Sequence, residues 1–167
     1  MFQTIEEVMG AWKNEADGTR RIMNALTDAS LKQAVAKDHR TLARIAWHII
    51  GSIPEMMNRT GLAVSSPKES DPIPTSAAKI QQAYDKAAAA LTDEIKAKWD
   101  DDTLQIEDNM YGMTWKRGLT MAILMNHQTH HRGQMTVLMR QAGLKVPGVY
   151  GPAKEEWVNY KMEPPAV

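Results

Sequence analysis

The segment His127-Gln128-Thr129-His130-His131-Arg132-Gly133-Gln134 lies inside a long run that reads as one helix. That run starts at Thr114 as the N-cap and continues to about Ala142, with Gly143 just past its end. Residues four apart on a helix project from one face, so His127 and His131 stand about a turn apart. At ~100° per residue, Leu124, Leu138, Met135 and Ala142 form an apolar stripe between about +20° and +80° from His127. His131 falls at about +40°, in the middle of that stripe, and His127 near its edge. Gln134 lies at about −20° on the same side, while His130, at about −60°, points off the stripe. Two imidazoles so placed on a rigid element can grip one divalent metal. They can equally be core histidines, each satisfied by its own polar partner. Spacing alone leaves both readings open.

Three more long helical stretches precede this one. The first runs from about Thr4 to Leu26, where Thr4 and Glu7 make a capping box and Ile5, Val8, Trp12, Ile22 and Leu26 supply the apolar stripe. Gly10 and Gly18 weaken it by up to ~1 kcal/mol each relative to alanine. The second covers about Thr41 to Arg59, and Pro54 inside it is expected to kink or truncate it. Residues 62–75, with Pro67, Pro72 and Pro74 among Ser, Lys and Asp, read as a surface loop. The alanine-rich third helix spans about Ser76 to Trp99. A connector follows from Asp100 to Met113, with Asp101, Asp102, Asn109 and Gly112 as turn signals, and no strand pattern is evident. A short helix over Ala153 to Tyr160 closes the chain. With no repeat and no boundary signal, residues 1–167 read as a single helical-bundle domain, all-α, with one long crossing loop between helices 2 and 3.

His48 lies on the second helix beside the stripe drawn by Leu42, Ile45, Ile49, Ile53 and Met56. That position suits the lining of a polar cavity and suits a solvated face equally well. His39 sits in the charged stretch Lys37-Asp38-His39-Arg40 and is expected to be exposed. Glu55, a little over a turn beyond His48, is the only acid that the helical wheel directs towards the histidines.

Composition narrows the function classes. The 20 Lys and Arg balance the 20 Asp and Glu, and no basic cluster provides the electrostatic footprint of nucleic-acid binding. The absence of cysteine removes disulfides, Cys-based zinc sites and a catalytic thiol, so thiol chemistry needs a thiol from outside. The N-terminal stretch is acidic where a signal peptide is basic, and no run approaches the ~18 apolar residues of a membrane span. A soluble cytoplasmic protein is therefore expected. With one Phe and four Tyr, the 12 methionines are expected to fill the core.

The pairing of Trp47-His48 with His127-x-x-His130-His131-Arg132-Gly133-Gln134 resembles the DinB/YfiT-like superfamily. Helix order and the long second-to-third connection agree with it over nearly the whole chain. The resemblance implies an up-down-down-up four-helix bundle and one divalent metal per chain, zinc or nickel in the main. It also implies His48, His127 and His131 as the metal ligands and a homodimeric assembly. Members that look like this include transferases and isomerases using low-molecular-weight thiols, and others known only as damage-inducible proteins.

Three readings follow. A metal held by three neutral histidines keeps an open position and activates an external thiol for transfer to an electrophilic small molecule. Alternatively, it supports hydrolysis, with Glu55 as the proton acceptor. The third reading is a non-catalytic metal-binding or stress-response bundle. Arg132, about 140° from His127, is expected to form a salt bridge to a neighbouring helix or subunit, Gly133 to let another helix approach, and Gln134 to orient His131 or touch substrate.

Overall fold

The structure is a computed structural model that describes residues 2–166. Four long helices carry it: α1 (Ile5–Asn24), α2 (Leu42–Met57), α3 (Ala77–Lys98) and α4 (Arg117–Gln141). The Thr4–Glu7 capping box closes the start of α1, and the Thr41 side chain accepts from Arg44 N at the start of α2. Both caps satisfy amide donors that a helix start otherwise leaves unpaired. Pro54 does not truncate α2, which runs on to Met57. Lying in the last turn, it removes a hydrogen bond where few remain to be lost.

Each helix packs against two others, in the cyclic order α1–α3–α2–α4. Contacts along the helices fix their directions. Trp12 Nε1 donates to Thr92 and Arg20 Nε to Asp85, so α3 runs against α1. The Gly118 Cα region lies near Phe2, while Arg132 reaches Glu15 and Thr19, so α4 runs with α1. His48 meets His127, whereas Ile45 lines a cavity with Leu138, so α2 runs against α4. The order is up-down-down-up, and residues 62–75 form the long crossover between α2 and α3.

The shared core contains Trp12, Ile22, Ile49, Ile53, Ile80, Leu91, Ile95 and Leu124. Met23, Met56, Met57, Met110, Met121, Met125, Met135 and Met139 are buried with them, which is the core-filling role expected of an unbranched, adaptable side chain. No helix among the described residues is long and apolar enough to cross a membrane.

Between α3 and α4 the structure departs from the all-helical expectation. The strands β1 (Glu107–Met110) and β2 (Met113–Lys116) form an antiparallel hairpin. Tyr111 and Gly112 at its tip both have positive φ, 58° and 82°, as a two-residue turn of type I′ requires. Asn109 Oδ1 accepts from Gly112 N at 3.1 Å and stabilises that turn. Thr114 therefore lies in β2 and is not a helix cap; α4 starts three residues later, after Lys116. Gly143, at φ 78°, ends α4 as expected. The last segment, Lys154–Tyr160, is 3-10 helix, and another short 3-10 segment, Asp28–Lys32, follows α1.

Candidate metal centre

The antiparallel crossing of α2 and α4 brings His48 against His127 and His131. His127 Nε2 lies 3.2 Å from His48 Nε2 and 3.2 Å from His131 Nε2, and the three candidate ligand atoms all fall within 4.8 Å of one another. The rings meet edge to face, with centroids 4.5–4.9 Å apart. A metal bonded to two nitrogens at ~2.0–2.1 Å, with a tetrahedral angle between them, separates those nitrogens by ~3.3 Å. The two separations from His127 Nε2 match that requirement.

The tautomers point the same way. His131 Nδ1 lies 2.8 Å from Gln134 Oε1, so it carries the proton and donates it. Gln134 Nε2 faces His130 Nε2 at 3.0 Å, which fixes which end of the amide turns towards His131. Glu69 Oε1 lies 2.9 Å from His48 Nδ1, close enough for electrostatic pairing though outside in-line hydrogen-bond geometry. A carboxylate there favours the proton on Nδ1. His48 and His131 thus turn Nε2 lone pairs towards His127, which can place a proton against one of them only. A cation at the centre resolves that conflict for all three.

Burial and the neighbouring imidazoles keep His127 and His131 neutral. Desolvation, followed by the charges His131, His48 and His130 would carry, depresses His127 to about 4. Desolvation also lowers His131, outweighing the opposing hydrogen bond it donates to Gln134. Neutral imidazoles are the form a metal needs. Among the described residues no fourth acid, histidine or cysteine joins the cluster, and His48 retains 16% side-chain exposure. The donor set therefore fits a divalent metal with an open position.

Glu69 is the residue that sequence reasoning missed. It sits in the crossover loop, 21 positions beyond His48, and α2 holds it there. Arg44 Nη1 donates to Glu69 O at 3.2 Å, and Gly51 lets the loop lie flat against the helix. A Cβ at Gly51 would stand 2.9 Å from Glu69 N. Gly51 is three residues after His48, on the same face, and that glycine was the available hint that backbone closes over His48.

The remaining expectations divide. Glu55 does not join the histidine cluster: its carboxylate accepts from Arg59 Nη2 at 2.8 Å and from the Tyr111 hydroxyl. His130 is exposed and outside the cluster, and His39 is exposed with Nδ1 against Lys37 O. Gly133 is exposed, with open space where a Cβ would stand, so it admits no neighbouring helix. The close approach occurs instead at Gly18, where an added Cβ would meet Val149 Cγ1 at 2.8 Å.

Arg132 does bind a neighbouring helix. It is 3% exposed and donates to Glu15 O at 2.8 Å, Thr19 Oγ1 at 2.9 Å and the Tyr150 hydroxyl at 2.6 Å, and it pairs with the Glu15 carboxylate. Thr19 and Tyr84 hydroxyls both donate to Gln128 Oε1 at 3.0 Å. This network fastens α1, α3 and the C-terminal segment to α4, on the side away from the histidines.

Comparison with known proteins places the chain in a family. The model of the DinB family matches residues 1–164. The uncharacterized protein YrdA of Bacillus subtilis is 47% identical over 165 residues, covering 99% of both chains. A crystal structure of a DinB-like protein from Bacillus cereus superposes with a TM-score of 0.87 and 44% identity, covering 90% of this chain and 100% of that one. The DinB-like protein YjoA of Bacillus subtilis, at 17% identity and a TM-score of 0.65, shares the fold over 86% of this chain and 96% of its own. From the histidine string to the helix order, this chain belongs to the DinB family.

Proposed function

We propose that His48, His127 and His131 hold one divalent metal, zinc or nickel, and that the protein uses it to transfer an external low-molecular-weight thiol to an electrophilic small molecule. The convergence of three imidazoles, with no fourth protein ligand among the described residues, carries this reading. Structural zinc ordinarily has four protein ligands, so a three-histidine set is built for exchange at the remaining position and not for a staple. When bound, the metal supplies the positive charge that lowers the pKa of a thiol or water in the open position.

The chain contributes orientation and neutrality. Gln134 accepts from His131 Nδ1 and sets that ring before anything binds, while Glu69 pairs electrostatically with His48 Nδ1. Neutral ligands leave the metal's charge undiminished, and the absence of cysteine means that no internal thiol competes for the centre. In the transfer, the thiol proton is released to solvent. The sulfur forms a bond to the electrophilic carbon, and the leaving group departs with its bonding pair.

Hydrolysis is the second reading, and the structure weakens it. Glu55, the acid expected to take the proton, is committed to Arg59 and Tyr111, while Glu69 faces the Nδ1 edge of His48. The test is to incubate zinc- or nickel-loaded protein with a panel of small thiols and an activated aryl halide and to follow S-conjugates by mass. Conjugate formation that requires metal and is lost in His127→Ala supports thiol transfer. Metal-dependent ester cleavage without conjugates would replace it with hydrolysis.

A further inference from the structure

Two cavities reach partners of the site histidines, Glu69 in one and Gln134 in the other, and they differ in charge. The one against α2, about 570 Å³, is lined by Glu55, Glu69 and Lys68 together with serines and Asn58. The other, about 350 Å³, is walled by Val35, Ile45, Val137 and Leu138, with Gln134, His39 and Arg40 as its polar groups. No acid lines it. Its size lies within the ~300–1,000 Å³ of small-molecule pockets, and apolar walls with few polar groups are the usual composition of one.

The second cavity connects to the candidate metal centre through Gln134, whose Oε1 accepts from His131. The loop that presents Val35, His39 and Arg40 is closed at its base. Ala34 bridges Thr41, Leu42 N donates to Gln33 O at 2.8 Å, and Gln33 reaches Gln141 on α4. Asp38, at φ 64°, makes the turn that brings the next two residues to the cavity. The valines stay exposed there, Val35 by 57% and Val137 by 54%. Among the described residues the Arg40 guanidinium has no hydrogen-bond or ion-pair partner, unlike Arg44, Arg59, Arg117, Arg132 and Arg140.

We propose that this cavity binds the aliphatic body of an organic anion, with its carboxylate on Arg40 and its other end directed towards the histidines. The assignment to the substrate rests on the metal-centre reading above; the anion site does not. Apolar walls recognise the chain, and an unpaired guanidinium offers a carboxylate two parallel N–H donors. An anion suits this cavity and not its neighbour, where two carboxylates would repel it.

The test uses hexanoate and hexanol as probes on metal-free protein, read by calorimetry and by the methyl NMR signals of Val35, Val137 and Leu138. Hexanoate is expected to bind at least about tenfold more tightly than hexanol and to shift those methyls. Arg40→Gln should abolish the preference, and Arg40→Lys should retain part of it, since the charge remains while the fork is lost. Equal binding of the two probes, unmoved methyls, or an Arg40→Gln variant that still prefers hexanoate would overturn the proposal. Zinc-loaded protein with 6-mercaptohexanoate separates the two readings. A gain over hexanoate only when zinc is present supports both, whereas hexanoate binding with no such gain keeps the anion site and removes its link to the metal.

Discussion

Replacing Gly51 by alanine should weaken metal binding although Gly51 touches no ligand. An ideal Cβ at this position stands 2.9 Å from Glu69 N and 3.1 Å from Glu69 Cα and Cβ. Carbon contacts settle at ~3.5–4.0 Å, so the loop must retreat by roughly half an ångström or more. The Glu69 carboxylate, now 2.9 Å from His48 Nδ1, then loses its hold on the ring. Removing the outer partner of a ligating histidine costs about 10–100-fold in metal affinity, equivalent to about 1.4–2.7 kcal/mol. Helix stability should not fall with it, since alanine is favoured over glycine in a helix by ~1 kcal/mol. Competition with a chromophoric zinc chelator gives the affinity, and thermal unfolding of the metal-free protein gives the stability. Glu69→Gln should show a comparable loss, and the double variant should be no worse than Glu69→Gln alone, because both act through one contact. An affinity within about twofold of wild type in Gly51→Ala, or losses that add in the double variant, would refute the chain of contacts from Gly51 to His48.

Arg132→Met should destabilise the metal-free protein by about 3–5 kcal/mol, since it strands a partly buried Glu15 and removes donors from a closed network. At ~2–4 °C per kcal/mol, the melting temperature should drop by roughly 6–20 °C; a drop under ~2 °C would remove the tie between α1 and α4. The histidine centre should also make stability pH-dependent. His127 is depressed from 6.5 to about 4 in the folded chain, so below 6.5 the unfolded chain binds a proton that the folded one resists. Metal-free protein should therefore lose stability as pH falls from 6.5 towards 4, by roughly 1–2 kcal/mol after allowing for solvent screening. Denaturant titrations across that window should show the loss, and His127→Asn should flatten it; a slope unchanged in the variant would place the dependence elsewhere.

The helices were legible because each is long enough for its apolar period to repeat and carries a readable end signal, as at Thr4, Thr41 and Gly143. The hairpin was not. Its strands have four residues each, and Glu107-Asp108-Asn109-Met110 shows no alternation of apolar and polar side chains. The turn residues Asn109 and Gly112 were correctly recognised, but a turn signal does not say what it joins. His127 and His131 could be paired from spacing on one helix, whereas His48 arrives from a separate helix, and only the family resemblance placed it with them. Glu69 reaches the site by a loop contact, which has no period at all. Gly133 was misread although the wheel places it at about −120° from His127, opposite the stripe, where the structure leaves it exposed. Among the glycines of the long helices, Gly51 and Gly18 are the ones that backbone or side chains closely approach, because they lie on inward faces.

The central claim is that three imidazoles converge because they hold a metal. Elemental analysis of untagged protein, beside a variant carrying both His127→Ala and His131→Ala, tests it most directly. The account predicts about one divalent metal per wild-type chain and none in the variant, with the helical fold intact in both, since the core and the Arg132 network lie outside the centre. Wild-type protein that stays empty after incubation with zinc or nickel, or a double variant that binds as much metal as wild type, would contradict it.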